Sequence, residues 1–332
     1  MSASKPQVTV VIPAFNAQAM IGDTLSSVLG LDYPAELLDL IVVDDGSTDD
    51  TATAVRTTLQ DSAWRWQLVP SCGKGPSAAR NTGWKMSRAE WVQFLDADDL
   101  LASNKLSLQL SIDEVTDESV AVIYSPWQNW LQGSDGRWGG AHWIANPAVA
   151  SSPVEELMGE GNFIATGSQV FRRSWLARVG GFDEARTLIE DVHLALRLAI
   201  SGGRFVRAES AAPLFYYRQV AGSHSRREKK GFLKAQRANA FLVQSHWQAQ
   251  EGGITAGQRA LLMVQFASVM RGCRTLDVKL FDETLKYARA LEPGWIPRDR
   301  RKVAWLSRLI GYRTAEGLAH RLIAMRRRIV GY

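Results

Sequence analysis

Strand-like and helix-like segments alternate along the first third of the chain. Apolar, β-branched runs at Val8–Ile12 and Leu38–Val43 are each followed by a stretch with apolar residues at helical spacing, and the pattern repeats through Trp66–Val69 and Trp91–Leu95 at intervals of about 25–30 residues. Because two parallel strands need a long crossover that is usually helical, this alternation predicts βαβ units around a buried parallel sheet. We therefore expect an α/β fold.

Acidic clusters stand where two of these strands end. Asp44-Asp45 follows the second strand and Asp96-Ala97-Asp98-Asp99 follows the fourth, while Glu190-Asp191 opens a later helical stretch. Ligands of open parallel sheets bind at the carboxyl ends of the strands, and clustered carboxylates suit a divalent cation and its phosphates. The sequence therefore predicts a site for a phosphorylated ligand at this edge of the sheet.

The pattern changes in the later part of the chain. A Trp- and Gly-rich stretch runs from Trp127 to Trp143, and from Glu228 onward only helical patterns remain. The expected later strands are 120–124, 169–171 and 214–217, and the expected later helices are 191–201, 228–250, 255–273, 277–290 and 302–329. We place the domain boundary near residue 225, between an α/β domain over residues 1–225 and a helical, basic extension over residues 226–332.

Charge and composition exclude several classes of protein. The 332-residue chain has a net charge of +5, but ten Lys and Arg against two acids lie between Arg298 and Tyr332, so the rest is net negative. The basic balance therefore does not indicate nucleic-acid binding by the core. Cys72 and Cys273 cannot form a disulfide framework, the first residues do not resemble a signal peptide, and no apolar run approaches about 18 residues. We expect a cytoplasmic protein.

Five motifs, in this order and spacing, resemble those of glycosyltransferase family 2. They are Val11-Ile12-Pro13-Ala14-Phe15-Asn16, Asp44-Asp45-Gly46-Ser47, Gly75-Pro76-Ser77-Ala78-Ala79-Arg80-Asn81, Asp96-Ala97-Asp98-Asp99 and Glu190-Asp191. The resemblance covers about residues 8–225. It implies a catalytic domain with the GT-A fold, a Rossmann-like mixed sheet with flanking helices. It also implies an inverting enzyme that uses a nucleotide-sugar donor and Mn²⁺ or Mg²⁺.

The resemblance places the nucleotide at the first three motifs. It implies donor contacts from Pro13, Phe15, Asn16, Asp44, Asp45, Lys74 and Arg80. Judged from the residues alone, Asp44–Ser47 can also be a tight turn with a helix cap, and Arg80 an ordinary surface arginine. Gly73-Lys74 lacks the spacing of a P-loop and no GxGxxG element is present, so a dinucleotide site is excluded.

The segment Asp96-Ala97-Asp98 is a DxD motif. The resemblance makes Asp98 the direct metal ligand and gives Asp96 a contact to the ribose or an indirect role; the alternative is a solvated loop. Family members often carry a histidine after the Tyr-Arg of the last strand, but here Tyr217-Arg218-Gln219 is followed by Val220. Either His224 replaces that histidine or the site has none. Arg218 is the expected contact to the diphosphate.

Asp191 matches the catalytic base of the family. Inverting transfer needs a carboxylate that takes the proton of the attacking hydroxyl. The alternative is that Glu190 and Asp191 are first-turn acids that complement the helix dipole. Trp127 and Trp130, together with Glu190, are candidates for binding the acceptor, because aromatic faces stack on sugar rings. These tryptophans could instead only pack against the sheet.

The sequence thus predicts a metal-assisted, inverting hexosyl- or N-acetylhexosaminyltransferase that uses a UDP-sugar and a glycan or lipid-linked acceptor, in polysaccharide biosynthesis. The alternatives are a sugar-phosphate nucleotidyltransferase and a catalytically inactive sugar-nucleotide-binding protein. The basic tail, with apolar residues at helical spacing, predicts peripheral association with the anionic inner face of the plasma membrane. The tail could otherwise pack on the rest of the chain.

Overall fold

The computed structural model describes residues 7–133, 135–147, 149, 152–159, 162–219, 228–296 and 301–330. The chain divides into two compact units. The first comprises Met1–Leu157 and Gly161–Ser223, and the second comprises Met158–Glu160 and His224–Tyr332.

A seven-stranded sheet forms the centre of the first unit. Its strands are β1 (Val8–Ala14), β2 (Leu38–Asp44), β3 (Arg65–Pro70), β4 (Trp91–Phe94), β6 (Val120–Tyr124), β9 (Gln169–Arg172) and β10 (Arg204–Arg207), in the order β10-β6-β9-β4-β1-β2-β3. All neighbours are parallel except β9, which is antiparallel to both β4 and β6. The sheet is therefore mixed, and the start of β9 lies at the same edge as the carboxyl ends of the other strands.

Helices flank this sheet because the central strands are buried on both faces. Every residue of β4 and β6 is buried, and β1 is buried except at Pro13, which is the burial that crossover helices provide. The helices of this unit are α1 (Ile21–Leu29), α2 (Thr51–Leu59), α3 (Pro76–Met86), α4 (Lys105–Gln109), α5 (Pro153–Met158), α6 (Arg173–Val179) and α7 (Glu190–Ile200). A Cβ on Gly83 of α3 would lie 2.3 Å from Cγ1 of Val11, so glycine lets α3 pack closely on β1.

A second sheet of four strands contains the Trp- and Gly-rich segment. Its strands are β5 (Leu100–Leu101), β7 (Trp127–Gln132), β8 (Trp138–Ile144) and β11 (Phe215–Arg218), in the order β5-β11-β7-β8. β7 pairs with β8 in antiparallel fashion and with β11 in parallel fashion. The sequence pattern did not predict this hairpin, because glycines and half-buried tryptophans obscure the alternation of a strand.

The second unit is helical. Its helices are α8 (Lys229–Gln248), α9 (Ala256–Cys273), α10 (Val278–Leu291), α11 (Arg301–Ile310) and α12 (Tyr312–Val330). A capping box starts α9, since Thr255 Oγ1 accepts the N–H of Gln258 while Gln258 Oε1 accepts the N–H of Thr255. The tail, expected as one helix over 302–329, is divided at Gly311, whose φ of +76° ends α11. Within the described part of the chain, no helix has the length and apolar character needed to cross a bilayer.

Candidate functional site

The carboxyl ends of β1, β2 and β3 meet at one edge of the large sheet. Ala14 lies opposite Asp44 in the β1–β2 pair, and Asp44 lies opposite Pro70 in the β2–β3 pair. The backbone N–H of Asp45 donates to the carbonyl of Ala14 at 2.8 Å, and that of Ser71 donates to the carbonyl of Asp44 at 2.9 Å. These bonds extend the strand pairing into the loops and hold the first predicted motifs together.

Asn16 ties the loop after β1 to the acidic turn after β2. Its Oδ1 accepts the N–H of Thr48 at 2.8 Å, and its own N–H donates to Ser47 Oγ at 3.0 Å. Its backbone is left-handed, with φ +48°, a conformation that asparagine tolerates better than most residues. The neighbouring Phe15 is exposed and Pro13 is half-buried. Asn16 therefore shapes the loop, while Phe15 is open to a ligand.

The two acids after β2 differ in their hydrogen bonds. Asp44 accepts a bond within the turn, whereas only one carboxylate oxygen of Asp45 has a partner among the described residues. Asp44 Oδ1 accepts the N–H of Ser47 at 2.9 Å, which is the tight-turn interpretation of this motif. Asp45 Oδ2 accepts the N–H of Gly75 at 2.7 Å, but its Oδ1 is buried and has no hydrogen-bond partner among the described residues. An unsatisfied buried acceptor is costly, so this oxygen suits a donor group on a ligand.

Arg80 is buried in α3 and joins two acidic motifs that lie far apart in sequence. Its Nη2 is 2.6 Å from Asp96 Oδ1 and its Nη1 is 2.8 Å from Glu190 Oε1, while its guanidinium lies over the ring of Phe182. Burial opposes the charge, but Asp96 and Glu190 outweigh burial and raise the pKa of Arg80. Because Arg80 is buried, the alternative that it is an ordinary surface arginine is wrong. The Nε of Arg80 is buried and has no hydrogen-bond partner in the part of the chain that the structure describes, and Lys74 is exposed in the preceding loop.

The three acids after β4 have three different environments. Asp96 is held by Arg80, and the buried Asp99 accepts the N–H of Arg218 at 2.8 Å through Oδ1. Asp98 makes no salt bridge with any residue that the structure describes. Burial, and then the charge of Asp96, raises the pKa of Asp98 to about 6. Asp98 is half-buried whereas Asp99 is fully buried, so Asp98 is the carboxylate without a described salt bridge that is open to a cation.

Arg218 lies beneath this loop and is fully buried. Its Nε donates to the carbonyl of Asp98, its Nη1 is 2.9 Å from Asp23 Oδ2, and its Nη2 donates to Thr24 Oγ1 at 3.2 Å. All three nitrogens of the guanidinium are thus engaged by the protein. Arg218 thus supports the DxD loop, and its expected contact with the diphosphate stays a prediction. His224, the other candidate from this region, lies outside the described residues.

Asp191 lies in the first turn of α7, directly after the Arg80-bound Glu190. Its Oδ1 accepts the N–H of Val192 at 2.8 Å, and Thr166 Oγ1 donates to its Oδ2 at 3.3 Å. Burial, and then the charge of Glu190, raises the pKa of Asp191 to about 6. Thr166 was not found from the sequence. It reaches Asp191 because β9 runs antiparallel to its neighbours, so the turn before β9 lies at the edge where the other strands end.

The tryptophans expected at the acceptor pack mainly within the protein. Trp127 is buried, donates through Nε1 to Asn146 Oδ1 at 3.0 Å, and meets the rings of Phe163 and Tyr217 edge to face. Trp130 is half-buried against Tyr216, with the ring centroids 4.7 Å apart. The packing alternative thus describes Trp127, whereas an acceptor contact from Trp130 stays a prediction.

An open cleft lies elsewhere on this unit, with a volume of about 510 Å³. It is lined by Glu90, Glu118, Arg172, Arg173 and Trp175 among others, and none of the sequence-predicted site residues is among them. Arg172 is committed to structure there, since it pairs with Glu90 and donates to backbone carbonyls that include that of Val120. Size alone therefore does not locate the functional site of this protein.

The site residues fit a hard divalent cation that is shared with a ligand. Among the described residues, no three or more His, Cys, Asp or Glu side chains converge as a self-sufficient metal cage. Mg²⁺ and similar ions need only one or two carboxylates, because water and substrate phosphates complete the coordination shell. Asp98, half-buried beside the like charge of Asp96, meets that requirement.

Curated relatives support a role in glycosyl transfer. The chain is 29% identical over 256 residues to the succinoglycan biosynthesis protein ExoU of Rhizobium meliloti, covering 72% of this chain and 71% of that protein. It is 37% identical over 122 residues to the Escherichia coli UDP-Glc:alpha-D-GlcNAc-diphosphoundecaprenol beta-1,3-glucosyltransferase WfgD, covering 36% of this chain and 46% of WfgD. The chain spans less than half the length of several other curated glycosyltransferases that it matches.

Solved structures share the fold. The Staphylococcus aureus protein TarS, residues 1–349 in complex with UDP-GlcNAc, matches 95% of this chain and 92% of its own with a TM-score of 0.69 at 18% identity. The mannosyltransferase PcManGT from Pyrobaculum calidifontis, in complex with GDP-Man and Mn²⁺, matches 97% of this chain and 86% of its own with a TM-score of 0.53 at 21% identity.

A match to a model of a protein family identifies the family of this chain. The family described as Glycosyl transferase family 2 matches residues 9–180, which is more than half of the chain and includes the first four motifs but ends before Glu190. The expected fold is confirmed, because the mixed sheet with flanking helices corresponds to the GT-A fold and is followed by a helical C-terminal extension. The chain therefore belongs to glycosyl transferase family 2.

Proposed function

We propose that this glycosyltransferase inverts the anomeric centre of a UDP-hexose or UDP-N-acetylhexosamine and transfers the sugar to a hydroxyl of a glycan or lipid-linked acceptor. Residues 1–225 form its catalytic domain and residues 226–332 its extension. It works in the cytoplasm, at the inner face of the plasma membrane.

One contact carries this proposal: the bridge from Asp96 through Arg80 to Glu190. Its two ion pairs, of 2.6 and 2.8 Å, fix the start of α7 against the DxD loop. Asp191 is the next residue along α7. Asp191 is thus held beside the donor motifs, and no hydrogen bond between described residues joins its carboxylate to them, as a base that faces the acceptor requires.

The reaction is a single displacement. The acceptor hydroxyl oxygen forms a bond to the anomeric carbon from the face opposite the diphosphate. The bond from that carbon to the diphosphate oxygen breaks, and UDP leaves with the bonding electrons. Asp191 takes the hydroxyl proton, a role in which a positioned base contributes about 10²–10⁴ in rate. Thr166 positions Asp191, because its hydroxyl donates to Oδ2 and fixes the direction of the carboxylate.

The nucleotide is bound by the loops after β1, β2 and β4. Asp45 Oδ1, buried and without a partner among the described residues, accepts a hydrogen bond from the base or the ribose. Phe15 is exposed in the loop after β1, which Asn16 holds in place. Asp98 would hold Mn²⁺ or Mg²⁺, which when bound neutralises the charge of the diphosphate leaving group. Lys74, exposed before α3, supplies a second positive charge.

The names of similar proteins support the donor and the acceptor classes. WfgD is described as using UDP-Glc and a diphosphoundecaprenol acceptor, and the TarS structure contains UDP-GlcNAc. The Pyrobaculum calidifontis structure contains Mn²⁺. We carry these properties over to this chain as part of the proposal.

The proposal is tested by measuring binding and turnover on the full chain. UDP-Glc, UDP-GlcNAc, UDP-Gal and GDP-Man are added with Mn²⁺, and the thermal midpoint of unfolding is recorded. A UDP-sugar at 100 times its Kd stabilises the native state by about 2.7 kcal/mol, so it raises the midpoint. The bound UDP-sugar is then converted to UDP, and the product formed from an α-linked donor is β-linked by NMR. A retained α-linkage contradicts inversion.

The two alternatives give different results in the same samples. A sugar-phosphate nucleotidyltransferase would release pyrophosphate from a nucleoside triphosphate and a sugar 1-phosphate, and would not release UDP from a UDP-sugar. A catalytically inactive binding protein would show the thermal shift without any release of UDP. Conversion of a UDP-sugar with release of UDP therefore rules out both.

We further propose that α11 and α12 bring the protein to an anionic membrane. Trp305 and Leu309 are 60% and 64% exposed and lie four residues apart on α11, with Lys302 and Arg308 exposed beside them. Val303 of the same helix is buried. A helix that exposes tryptophan and leucine next to basic residues has the composition of an interfacial helix.

A vesicle-binding experiment tests this surface. Full-length protein is expected to sediment with phosphatidylglycerol-containing vesicles at low salt and to be released at 1 M salt, where the Debye length is about 3 Å. Trp305→Ala/Leu309→Ala should reduce binding about tenfold or more through lost apolar burial. Leu276→Ala/Val278→Ala is the matched control, because Leu276 is 52% exposed in the same unit outside α11 and α12. If the two variants bind vesicles equally well, Trp305 and Leu309 do not form a membrane-binding surface.

A further inference from the structure

Phe163 is an exposed aromatic side chain on a rigid segment that leads to the base. Its ring is 45% exposed, although it is one of the large apolar side chains that usually turn inward. Trp127 contacts it edge to face with the centroids 6.0 Å apart, so one side of the ring is packed and the rest is open.

Side-chain amides hold the backbone of this segment in place. Asn146 Nδ2 donates to the carbonyl of Phe163 at 2.9 Å, and Gln169 Nε2 donates to that of Ile164 at 3.0 Å. Asn146 and Gln169 are themselves buried, and Asn146 is fixed by the indole N–H of Trp127. The segment thus presents Phe163 with little freedom, which lowers the entropy cost of binding a ligand to it.

The same segment connects Phe163 with Asp191. Thr166, three residues further along, donates its hydroxyl to Asp191 Oδ2 at 3.3 Å. Three residues of extended chain span at most about 10 Å, so the backbone of Phe163 lies within about that distance of the residue that contacts Asp191. The intervening residues Ile164 and Ala165 are buried, so Phe163 is the exposed apolar side chain of this short segment.

We propose that Phe163 is the platform on which a neutral pyranose ring of the acceptor stacks beside Asp191, an inference that rests on the glycosyltransferase function proposed above. The stacked ring presents its hydroxyl toward the Asp191 carboxylate, while Thr166 fixes that carboxylate from the other side of the same segment. This assigns the acceptor contact to a residue outside the Trp127 and Trp130 pair that the sequence indicated.

Trp143 provides a matched control. It is also 45% exposed, and it lies on β8 of the small sheet. It pairs with Gln128, whereas the buried Trp127 pairs with Ile144, so alternation along the strand places Trp143 on the face away from Trp127 and Phe163. Comparison of Trp143→Ala with Phe163→Ala therefore shows whether binding depends on the ring of Phe163 or on any exposed aromatic ring.

The experiment measures binding of simple sugars without requiring turnover. Methyl glycosides of glucose, galactose and N-acetylglucosamine are titrated into the full chain with UDP and Mn²⁺, and binding is followed by saturation-transfer NMR. At least one glycoside should bind the wild type. Phe163→Ala should weaken that binding about 10-fold, Phe163→Tyr should restore it, and Trp143→Ala should leave it unchanged.

The possible outcomes separate this inference from the proposed function. Unchanged binding in Phe163→Ala, an equal loss in Trp143→Ala, or no binding of any glycoside to the wild type would each overturn the platform. Release of UDP from UDP-sugars by the wild type, measured in parallel, tests the proposed function by itself. If Phe163→Ala has a lower thermal midpoint than wild type, recovery of binding in Phe163→Tyr still decides the assignment.

Discussion

Asp191→Asn is expected to lower the rate of sugar transfer by about 10²–10⁴, equivalent to roughly 3–5 kcal/mol of barrier. The amide oxygen can still accept the N–H of Val192, and the amide nitrogen that replaces Oδ2 can donate to Thr166 Oγ1, so we expect the start of α7 to keep its shape. An amide cannot take the acceptor proton at neutral pH, and that is the function removed. Affinity for the donor should change little, because no described bond joins Asp191 to Asp45 or Asp98. Single-turnover transfer and UDP-sugar titration measure the two quantities separately.

The outcome of this substitution distinguishes three arrangements of the carboxylates. Near-normal transfer would move the base elsewhere, with Glu190, which is ion-paired with Arg80, as the first alternative. Loss of donor affinity would place Asp191 in the nucleotide or metal site. Loss of transfer with donor affinity retained supports the division between a donor site around Asp98 and a base at the acceptor.

The same carboxylate predicts the acidic limb of the pH profile. Burial and the charge of Glu190 raise the pKa of Asp191 to about 6, and a base acts only when it is deprotonated. The rate of transfer at saturating donor and metal should therefore fall as the pH decreases through about 6, whereas an ordinary aspartate near 4 would leave it unchanged there. The residual activity of Asp191→Asn should lack this limb. If the transfer rate of Asp191→Asn still falls as the pH decreases through this range, another titrating group causes the fall.

The large sheet was predictable because its signals are local. Each of β1, β2 and β4 is a short, largely buried apolar run; β1 and β2 end at residues of the resembling motifs, and β4 ends two residues before Asp96. Strand ends and their loops follow directly from such runs, so the placement of Asp44, Asp45 and Asp96–Asp99 at one edge could be stated in advance.

What could not be predicted depends on contacts between distant residues. Nothing near Arg218 indicates that Asp23 and the carbonyl of Asp98 engage its guanidinium, because these partners lie about 195 and 120 residues away. The contact of Thr166 with Asp191 likewise depends on the antiparallel direction of β9, which no local pattern specifies. Exposure of Phe163 and burial of Trp127 are also consequences of tertiary packing. The chemistry-bearing motifs were therefore accessible from sequence, whereas the residues that orient them were not.

Asp98→Ala is expected to abolish the dependence of UDP affinity on a divalent cation. In wild type, Mn²⁺ should strengthen UDP binding by about 100-fold relative to chelator, roughly 2.7 kcal/mol, because Asp98 would hold a cation that would offset the charge of the diphosphate. In Asp98→Ala the affinities with Mn²⁺ and with chelator should be nearly equal and close to the chelator value of the wild type. Calorimetric titration of UDP in the four conditions gives the comparison. Asp50→Ala is the control, since this exposed carboxylate caps no N–H at the start of α2.

The pattern of the four affinities locates the effect of Asp98. The contacts around Asp45 remain in the variant, so binding without the cation should survive the substitution. If Asp98→Ala weakened UDP binding equally with Mn²⁺ and with chelator, Asp98 would contact the nucleotide directly rather than through a cation. If wild type itself bound UDP equally in both conditions, the like-charged pair Asp96 and Asp98 would be balanced by Arg80 and the protein around it. Asp98 is assigned as the metal ligand only if Asp98→Ala loses the gain in UDP affinity that Mn²⁺ gives the wild type.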